Sequence, residues 1–268
     1  MLRNFWSFLC LVCLGCHSFS GVDPVSSPES ALALQAKELW DKGQEAMKEE
    51  QPKQAIAYYE QSLALDPTLT CNYLSLAAAH LEAGEEETAC ISLARYLESH
   101  PEHFSVRPHF AELLLRLHRA AEARCQLERF IADAQDAPAE EAAPMIHCHG
   151  RLMEIAESEE NAYEAHLNRG IGLYLLARRR AELDAGEEEL PADGLLWKAA
   201  QELTQAQSLH PRDARPCWYL YAVWHGLAQD QPARRWLRLG LENAPFSSLT
   251  PAEQRGLYQA AKSLGKTL

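Results

Sequence analysis

The sequence predicts an all-α protein built from repeated pairs of helices, because small apolar residues and helix-ending prolines recur with one period. Alanine recurs every 34 residues in both halves of the chain, and proline follows four of these alanines after 12 residues. No segment shows the alternation of apolar and polar residues that is typical of β-strands. A period of this length indicates a solenoid, in which each unit buries its apolar face against its neighbours. The alanines are Ala55, Ala89, Ala123, Ala199 and Ala233, and the prolines are Pro67, Pro101, Pro211 and Pro245.

The first unit shows why small residues are needed at these positions. Gly43 in its first helix and Ala55 in its second allow the two helices to approach closely, and Tyr59 fills the groove beside them. Pro67 ends the second helix, because its ring and missing N–H cannot continue one. This arrangement resembles the tetratricopeptide repeat (TPR). The resemblance implies a TPR-type α-solenoid, a right-handed superhelix of antiparallel helix pairs whose groove holds a protein or peptide ligand.

The repeats divide the chain into three helical segments. Residues 31–137 are expected to form an N-terminal array of three repeats, and in the second repeat Ala77 takes the place of Gly43. Residues 194–268 are expected to form C-terminal repeats of the same kind, followed by a capping helix. Residues 138–193 interrupt the period, and we expect an irregular helical segment there.

This irregular segment allows two ways of pairing its helices. In the preferred interpretation, a long helix over residues 161–184 pairs with the helix that contains Ala199. It then carries an insertion of about 15 residues relative to a compact repeat and leaves the helix around Met145 unpaired. In the alternative, the Met145 helix pairs with the long helix, and Ala165 then lies 34 residues before Ala199.

The N-terminus is typical of a targeting segment. Arg3 precedes an apolar run of 11 residues, Phe5–Gly15. This run is shorter than the about 20 residues that cross a bilayer, and it matches the apolar part of a secretory signal. A small residue followed by Cys16 resembles the lipobox of bacterial lipoproteins, which implies a signal peptide over residues 1–15 and a lipid anchor on Cys16. Two alternatives are cleavage further along, near Ser20, and retention of the segment as an uncleaved anchor.

The residues after the signal predict a tether and a location. Residues 16–30 are rich in serine and contain two prolines, which favours a flexible linker that would hold the helical domain away from a membrane surface. We therefore expect the protein to be secreted to the cell envelope. It would be a membrane-anchored lipoprotein there, or otherwise periplasmic.

The charge of the chain excludes one class of partner. The formal net charge is −13 and the isoelectric point is about 5.3. Nucleic acid is therefore not an expected partner, because phosphate binding needs a basic surface. The acidity keeps the surface soluble, or it serves a specific basic partner.

Neither the cysteines nor the histidines predict a chemical site. Five cysteines lie outside the signal, with no spacing typical of zinc ligands or of a disulfide framework. Cys71, Cys90 and Cys125 fall on helix positions, and we expect them to be buried thiols. The His-Cys-His run at 147–149 is not an expected metal site, because adjacent residues of a helix point about 100° apart. No motif of a nucleophile elbow, a phosphate loop or a dinucleotide site occurs, so we expect no catalytic residue, no metal and no cofactor.

The aromatic and basic residues near the C-terminus are the expected contacts with a partner. Tyr219 and Trp236 belong to the densest aromatic region of the chain, and such residues often anchor interfaces. Arg234 and Arg235 could bind an acidic ligand in the same groove.

These observations predict a non-enzymatic TPR scaffold or adaptor that mediates protein–protein interactions at the bacterial cell envelope. TPR lipoproteins of this plan include pilus-assembly and outer-membrane assembly factors. The alternative is an enzyme-accessory or ligand-binding subunit that uses the irregular middle segment. A third possibility is a cytosolic repeat protein with an accidentally apolar N-terminus.

Overall fold

The computed structural model describes residues 28–134, 142–183 and 192–265, and within these ranges the chain is helical and contains no β-strand. Successive helices pack against one another in pairs. The predicted fold class, an all-α array of paired helices of the TPR type, is confirmed. The α-helices in these ranges are α1 (Pro28–Lys48), α2 (Pro52–Leu65), α3 (Asn72–Glu82), α4 (Glu86–Ser99), α5 (Arg107–Arg116), α6 (Ala120–Ala134), α7 (Ala142–Ser158), α8 (Ala162–Leu183), α9 (Ala192–Leu209), α10 (Ala214–Gly226), α11 (Asp230–Asn243) and α12 (Pro251–Gly265), with 3-10 turns at Phe104–Val106 and Ala244–Phe246.

The chain forms two compact units, Met1–Ala123 and Arg124–Leu268. The division falls within α6, 14 residues before the boundary at residue 137 that the repeat pattern predicts. In the first unit, α1 to α5 pack in sequence order, and in the second unit α7 to α12 do the same. Each unit has its own apolar core. Tyr59 lies in the core of the first, and Leu203 in that of the second.

Five of the turns between helices share one hydrogen-bonded geometry. In the α1–α2 turn, Glu50 has a φ of 58° and its N–H donates to the carbonyl of Met47 at 3.2 Å. The next N–H, from Gln51, donates to the carbonyl of Ala46 at 2.8 Å. This Schellman motif satisfies carbonyls that the end of a helix would otherwise leave unpaired. The residues with positive φ are Glu50, Gly84, His118, Glu160 and Ala228, and each lies five residues before Ala55, Ala89, Ala123, Ala165 or Ala233.

The small residues of the repeats lie where two helices approach most closely. A β-carbon added to Gly43 of α1 would come within 2.4 Å of Cε1 of Tyr59 on α2. Real contacts of this kind are essentially never shorter than 3.0 Å. Ala55, on the same helix as Tyr59, is fully buried. Glycine at position 43 therefore lets the ring of Tyr59 fill the space between α1 and α2.

Helix α8 packs against both α7 and α9. Each of the two predicted pairings therefore describes one of its faces, and the expectation that the helix around Met145 is unpaired is wrong. The turn before it carries Glu160 in the left-handed conformation, and Ala165 is buried, as in a second helix of a pair. Five residues later, a β-carbon on Gly170 would lie 2.6 Å from Cγ of Leu203 on α9. Leu203 stands four residues after Ala199, as Tyr59 stands four after Ala55. The helix is thus the second member of a pair with α7 and the first member of a pair with α9.

The prolines of the repeat pattern lie beyond the ends of second helices. Pro67 follows the end of α2, Pro101 that of α4 and Pro211 that of α9, each after two residues. Pro245 lies in the 3-10 turn Ala244–Phe246, directly after α11. Proline is tolerated at these positions because no hydrogen bond of a helix interior needs the N–H that it lacks.

Two expectations differ from the structure. Helix α1 begins at Pro28, inside the segment assigned to the tether. Cys125 is exposed rather than buried, because it follows the buried Ala123 by two residues and therefore points to nearly the opposite side of α6. Cys90 is buried as expected, and Cys71 is half-buried.

The signal peptide at residues 1–15 and its anchor Cys16 lie outside the described residues, as do residues 17–27 of the tether. No helix in the described ranges combines the length and the apolar character needed to cross a membrane.

Candidate functional site

Helix α11 carries three arginines on one exposed face. Arg234, Arg235 and Arg238 are exposed, whereas Ala233 and Leu237 on the other face are each 3% exposed. Spacings of three and four residues place the arginines on adjacent turns of one side of the helix. We call these three residues the arginine stripe. None of them has an ion-pair partner among the described residues.

Many arginines elsewhere are neutralised within their own unit. Arg116 pairs with Glu86 in the first unit, and Arg124 pairs with Glu159 in the second. Within α7, Nη1 of Arg151 lies 2.6 Å from a carboxylate oxygen of Glu154. The arginine stripe differs from these residues because no carboxylate among the described residues compensates its positive charge, so this charge is available to a ligand.

The stripe also lies at the basic end of an acidic chain. Residues 192–268 contain nine Lys and Arg against six Asp and Glu, whereas the whole chain contains 25 against 38. Residues 1–191 therefore contain 16 Lys and Arg against 32 Asp and Glu, and all of the net negative charge comes from them. An acidic partner would be attracted to the last two helix pairs and repelled by the rest of the chain.

The two aromatic residues expected to contact a partner are in different environments. Trp236 is half-buried against the core of the second unit, and the guanidinium carbon of Arg235 lies 5.9 Å from its ring centre. Tyr219 is half-buried, and its hydroxyl donates a hydrogen bond to Glu253. Burial and this carboxylate raise the pKa of Tyr219 well above its usual value. The hydroxyl of Tyr219 is therefore already engaged within the chain.

Glu253 is itself held by the start of α12. The backbone N–H of Thr250 donates to a carboxylate oxygen of Glu253 at 2.8 Å, and the N–H of Glu253 lies 3.3 Å from the hydroxyl of Thr250. This is the capping box that the sequence Thr-Pro-Ala-Glu predicts, and it fixes the carboxylate that binds Tyr219.

The sequence did not predict a tryptophan pair in the second unit, of which only Trp197 is exposed. Trp197 is 55% exposed and meets Trp224 edge to face, with ring centres 5.1 Å apart. The indole nitrogen of Trp224 is buried and has no partner among the described residues. A signal existed, because Trp197 stands two residues before Ala199. Of the four matching positions before the other repeat alanines, three hold polar residues, Lys53, Glu87 and Gln231, and the fourth holds Ala121.

An open pocket of about 580 Å³ lies between two loops of the second unit. One wall follows α9 and the other follows α11, and both loops come directly after the second helix of a pair. The lining residues are Leu209, His210, Pro211, Arg212, Asp213, Arg215, Phe246, Ser247 and Ser248.

The rim of this pocket combines exposed apolar side chains with an exposed arginine. Phe246 is 78% exposed and Leu209 is 47% exposed. Arg212 is exposed and has no ion-pair partner in the part of the chain that the structure describes. Both Arg212 and Phe246 come directly after a repeat proline, where the earlier repeats have Thr68 and Glu102. An aromatic side chain at that position was the sequence signal for this pocket.

A buried polar network lies behind the pocket. Asp213 caps α10: its Oδ1 accepts from the N–H of Arg215 at 2.8 Å, and its Oδ2 accepts from the hydroxyl of Tyr163 at 2.5 Å. The ring of Tyr163 stacks on His210 with a centroid distance of 4.0 Å. Nη2 of Arg215 lies 3.4 Å from Oε1 of Glu164 and 3.5 Å from Oδ2 of Asp213. The positive charge of Arg215 is therefore compensated by two carboxylates, those of Glu164 and Asp213.

The network continues to a histidine on α7. Nδ2 of Asn168 donates to the carbonyl of Glu164 at 2.9 Å, so its Oδ1 accepts from Nδ1 of His149 at 2.9 Å. Burial lowers the pKa of His149 to about 4, which keeps the ring neutral at physiological pH. Nε2 of His149 and Nε of Arg215 are both buried without a partner among the described residues.

The described residues contain no group of three or more His, Cys, Asp or Glu side chains that could hold a metal ion. In the His-Cys-His run, His147 is exposed, whereas Cys148 and His149 are buried. The run therefore does not converge on one point.

No protein-family model matches the chain, and no curated protein matches it. Solved structures with a similar arrangement of helices include PilW, described as a widely conserved type IV pilus biogenesis factor, with 18% identity, a TM-score of 0.38, and coverage of 83% of this chain and 98% of PilW. PilF of Pseudomonas aeruginosa has 14% identity, a TM-score of 0.39, and coverage of 86% and 99%. YrrB, described as a TPR protein with an unusual peptide-binding site, has 14% identity, a TM-score of 0.34, and coverage of 89% and 100%.

Proposed function

We propose that this protein is a non-enzymatic helical-repeat adaptor that binds an acidic segment of a protein partner through the arginine stripe of α11. The observation that carries the proposal is that three exposed arginines share one helix face without any carboxylate partner among the described residues. Folding alone gives no reason to gather three like charges on adjacent turns, since such charges repel one another. An acidic partner would remove this repulsion.

Trp236 is part of the same site. Its ring lies beside Arg235 and rests on the core of the second unit, so it offers a rigid apolar surface next to the charges. Arginine and tryptophan are the residues that most often dominate the binding energy of interfaces. We assign Tyr219 to the support of the site, because its hydroxyl is bonded to Glu253.

The test compares partners captured by matched charge variants. The first variant reverses the stripe, with Arg234→Glu, Arg235→Glu and Arg238→Glu. The control reverses three exposed lysines of the first unit, with Lys37→Glu, Lys42→Glu and Lys53→Glu. Both variants change the net charge equally and alter only exposed positions, so circular dichroism and thermal unfolding should match those of the wild type.

Each protein is then used for affinity capture from native cells, with mild cross-linking and quantitative mass spectrometry. We expect the wild type and the lysine variant to enrich the same few proteins, and the stripe variant to lose them. Equal enrichment by the stripe variant would refute α11 as the binding surface.

We also propose that Cys16 anchors the protein to a membrane of the bacterial cell envelope. The apolar run before it and the serine-rich residues after it support this location. A lipid chain would hold the protein in proportion to the number of methylenes it buries. The Cys16→Ser variant should move from the membrane fraction to the soluble fraction. Continued tight membrane association, or an intact Met1 on protein from native cells, would refute the lipid anchor.

A second candidate function is favoured by the polar network that joins the middle segment to α10. Nε2 of His149 and Nε of Arg215 are buried and unpartnered among the described residues, and a small ligand could satisfy them. Native mass spectrometry of protein from native cells tests this function. A stoichiometric bound compound that His149→Leu abolishes would support it, and ligand-free protein would count against it.

A further inference from the structure

We propose that the pocket between the loops after α9 and α11 receives a large apolar side chain of the partner's acidic segment, and that Arg212 binds a carboxylate next to that side chain. This inference rests on the proposed function, because the pocket would serve the same partner as the arginine stripe. It adds an anchoring position and predicts which residues the partner segment contains.

The pocket is held in shape before any ligand binds. The backbone N–H of Ala214 donates to the hydroxyl of Ser247 at 2.7 Å, which joins the two loops. Nδ2 of Asn243 donates to the carbonyl of Pro211 at 3.0 Å, and Nε2 of Gln207 donates to the same carbonyl at 2.7 Å. A preformed pocket binds more tightly than a mobile one, because less conformational entropy is lost on binding.

The size and the rim of the pocket suit an apolar side chain. Its volume of about 580 Å³ lies within the range of about 300–1,000 Å³ that is typical of ligand pockets. Leu209 is the last residue of α9, Phe246 lies in the turn after α11, and both expose large apolar surfaces to water. A leucine or phenylalanine side chain between them would remove apolar surface of both residues from water.

The charges of the pocket select a carboxylate as the neighbour of this side chain. Arg215 is compensated by Asp213 and Glu164, and both carboxylate oxygens of Asp213 already accept hydrogen bonds. Arg212 also lines the pocket, and no carboxylate in the described ranges pairs with it. An acidic group on the ligand would pair with it, whereas a lysine on the ligand would be repelled.

The helix that carries the arginine stripe leads directly into one of the two loops that line the pocket. Helix α11 ends at Asn243, and the turn Ala244–Phe246 follows directly. The helical rise places Arg235 about 12 Å from Asn243 along the axis, a distance that about four extended residues span. The partner segment should therefore carry its acidic residues about four positions away from the apolar anchor.

The experiment measures fluorescence polarisation of three labelled peptides with the full chain. The first peptide has a run of glutamates followed by Leu-Phe-Asp, the second has Ser-Gly in place of Leu-Phe, and the third has lysine in place of every acidic residue. The pocket variant combines Leu209→Ser and Phe246→Ser. The matched control is Leu34→Ser, which alters an exposed leucine of the first unit. The variant Arg212→Gln isolates the charge of the pocket.

We expect the first peptide to bind the wild type about ten- to one-hundredfold more tightly than the second, as burial of one large apolar side chain implies. The pocket variant should bind these two peptides equally, Leu34→Ser should keep the preference, and Arg212→Gln should weaken binding of the first peptide. Equal binding of both acidic peptides to the wild type, or a preference that survives in the pocket variant, would overturn the pocket while leaving the stripe intact. If neither acidic peptide binds better than the lysine peptide, the proposed function fails as well.

Discussion

Gly43 of α1 faces the ring of Tyr59 on α2 so closely that a β-carbon would lie 2.4 Å from Cε1 of the ring. The side chain of Tyr59 is only 1% exposed. The same relation occurs in the second unit between Gly170 and Leu203. Two contacts of one kind, in repeats of different length, show that close helix approach is the constraint that the repeat pattern preserves.

We predict that Gly43→Ala destabilises the protein by about 1–2 kcal/mol, because the steric overlap outweighs the better helix propensity of alanine. Gly170→Ala should have a similar effect on the second unit. Gly150→Ala is the control, since a β-carbon there meets no atom within 4 Å and should stabilise α7 by up to about 1 kcal/mol. The free energy of unfolding of all three variants can be measured by urea denaturation. A destabilisation of Gly150→Ala equal to that of Gly43→Ala would contradict the steric explanation.

Substitutions at two turn residues in the left-handed conformation should change the stability of the protein in opposite directions. Gly84→Ala should lower the free energy of unfolding by about 1 kcal/mol, because φ is 77° there and alanine disfavours this backbone conformation. Ala228 already has a φ of 55°, so Ala228→Gly should relieve strain and leave stability unchanged or raised by a few tenths of a kcal/mol. Thermal unfolding checks both variants. A clear loss of stability in Ala228→Gly would show that this turn is not strained.

The buried His149 predicts a loss of stability in acid. Its pKa is about 4 in the folded chain, against an ordinary value of 6.5, because burial disfavours the charged ring. The unfolded chain therefore takes up a proton first as the pH falls. The stabilisation from the neutral ring is fully present above pH 6.5 and decreases toward pH 4, by about 3 kcal/mol in total. Below pH 4 this histidine adds no further change.

Urea unfolding between pH 4 and pH 8 tests this dependence. His149→Gln removes the titrating ring and should flatten the pH profile across this range, while the exposed neighbour His147→Gln should keep the profile of the wild type. Parallel profiles of the wild type and His149→Gln would rule out His149 as the source.

The five described cysteines should differ in their reaction with a maleimide. Cys125 is exposed and should react first, and Cys71 should follow because it is half-buried. Cys217 is buried, and burial raises the pKa of its thiol to about 12, so it lacks the reactive thiolate at neutral pH. Peptide mapping by mass spectrometry after brief native labelling measures the order. Labelling of Cys217 as fast as Cys125 would contradict the packing of the second unit.

The sequence was informative where the controlling interactions are local or repeat with the period of the fold. The alanines, the prolines and Gly43 predicted paired helices because close packing and helix termination require particular residue types. Arg234 and Arg235 could be singled out because basic residues are visible in any sequence. That Cys125 is exposed could have been anticipated from its phase relative to Ala123.

The rest of the candidate site depends on contacts between residues far apart in the chain. Arg124 is neutralised by Glu159, which is 35 positions away. No local pattern distinguishes it from Arg238, which has no carboxylate partner in the part of the chain that the structure describes. Leu209 and Phe246 line one pocket because two loops of successive pairs lie side by side. The position of Trp197 relative to Ala199 is visible in the sequence, but its edge-to-face contact with Trp224 depends on helix packing.

The sequence by itself determined that this chain folds into antiparallel helix pairs, since a helix buries the same face wherever the same small and apolar residues return. Only the tertiary structure decided that α8 pairs on two sides, which arginines stay uncompensated, and where a pocket opens. The physical reason is that charge compensation and cavity shape are properties of neighbours in space, and helix packing brings those neighbours together from distant parts of the chain.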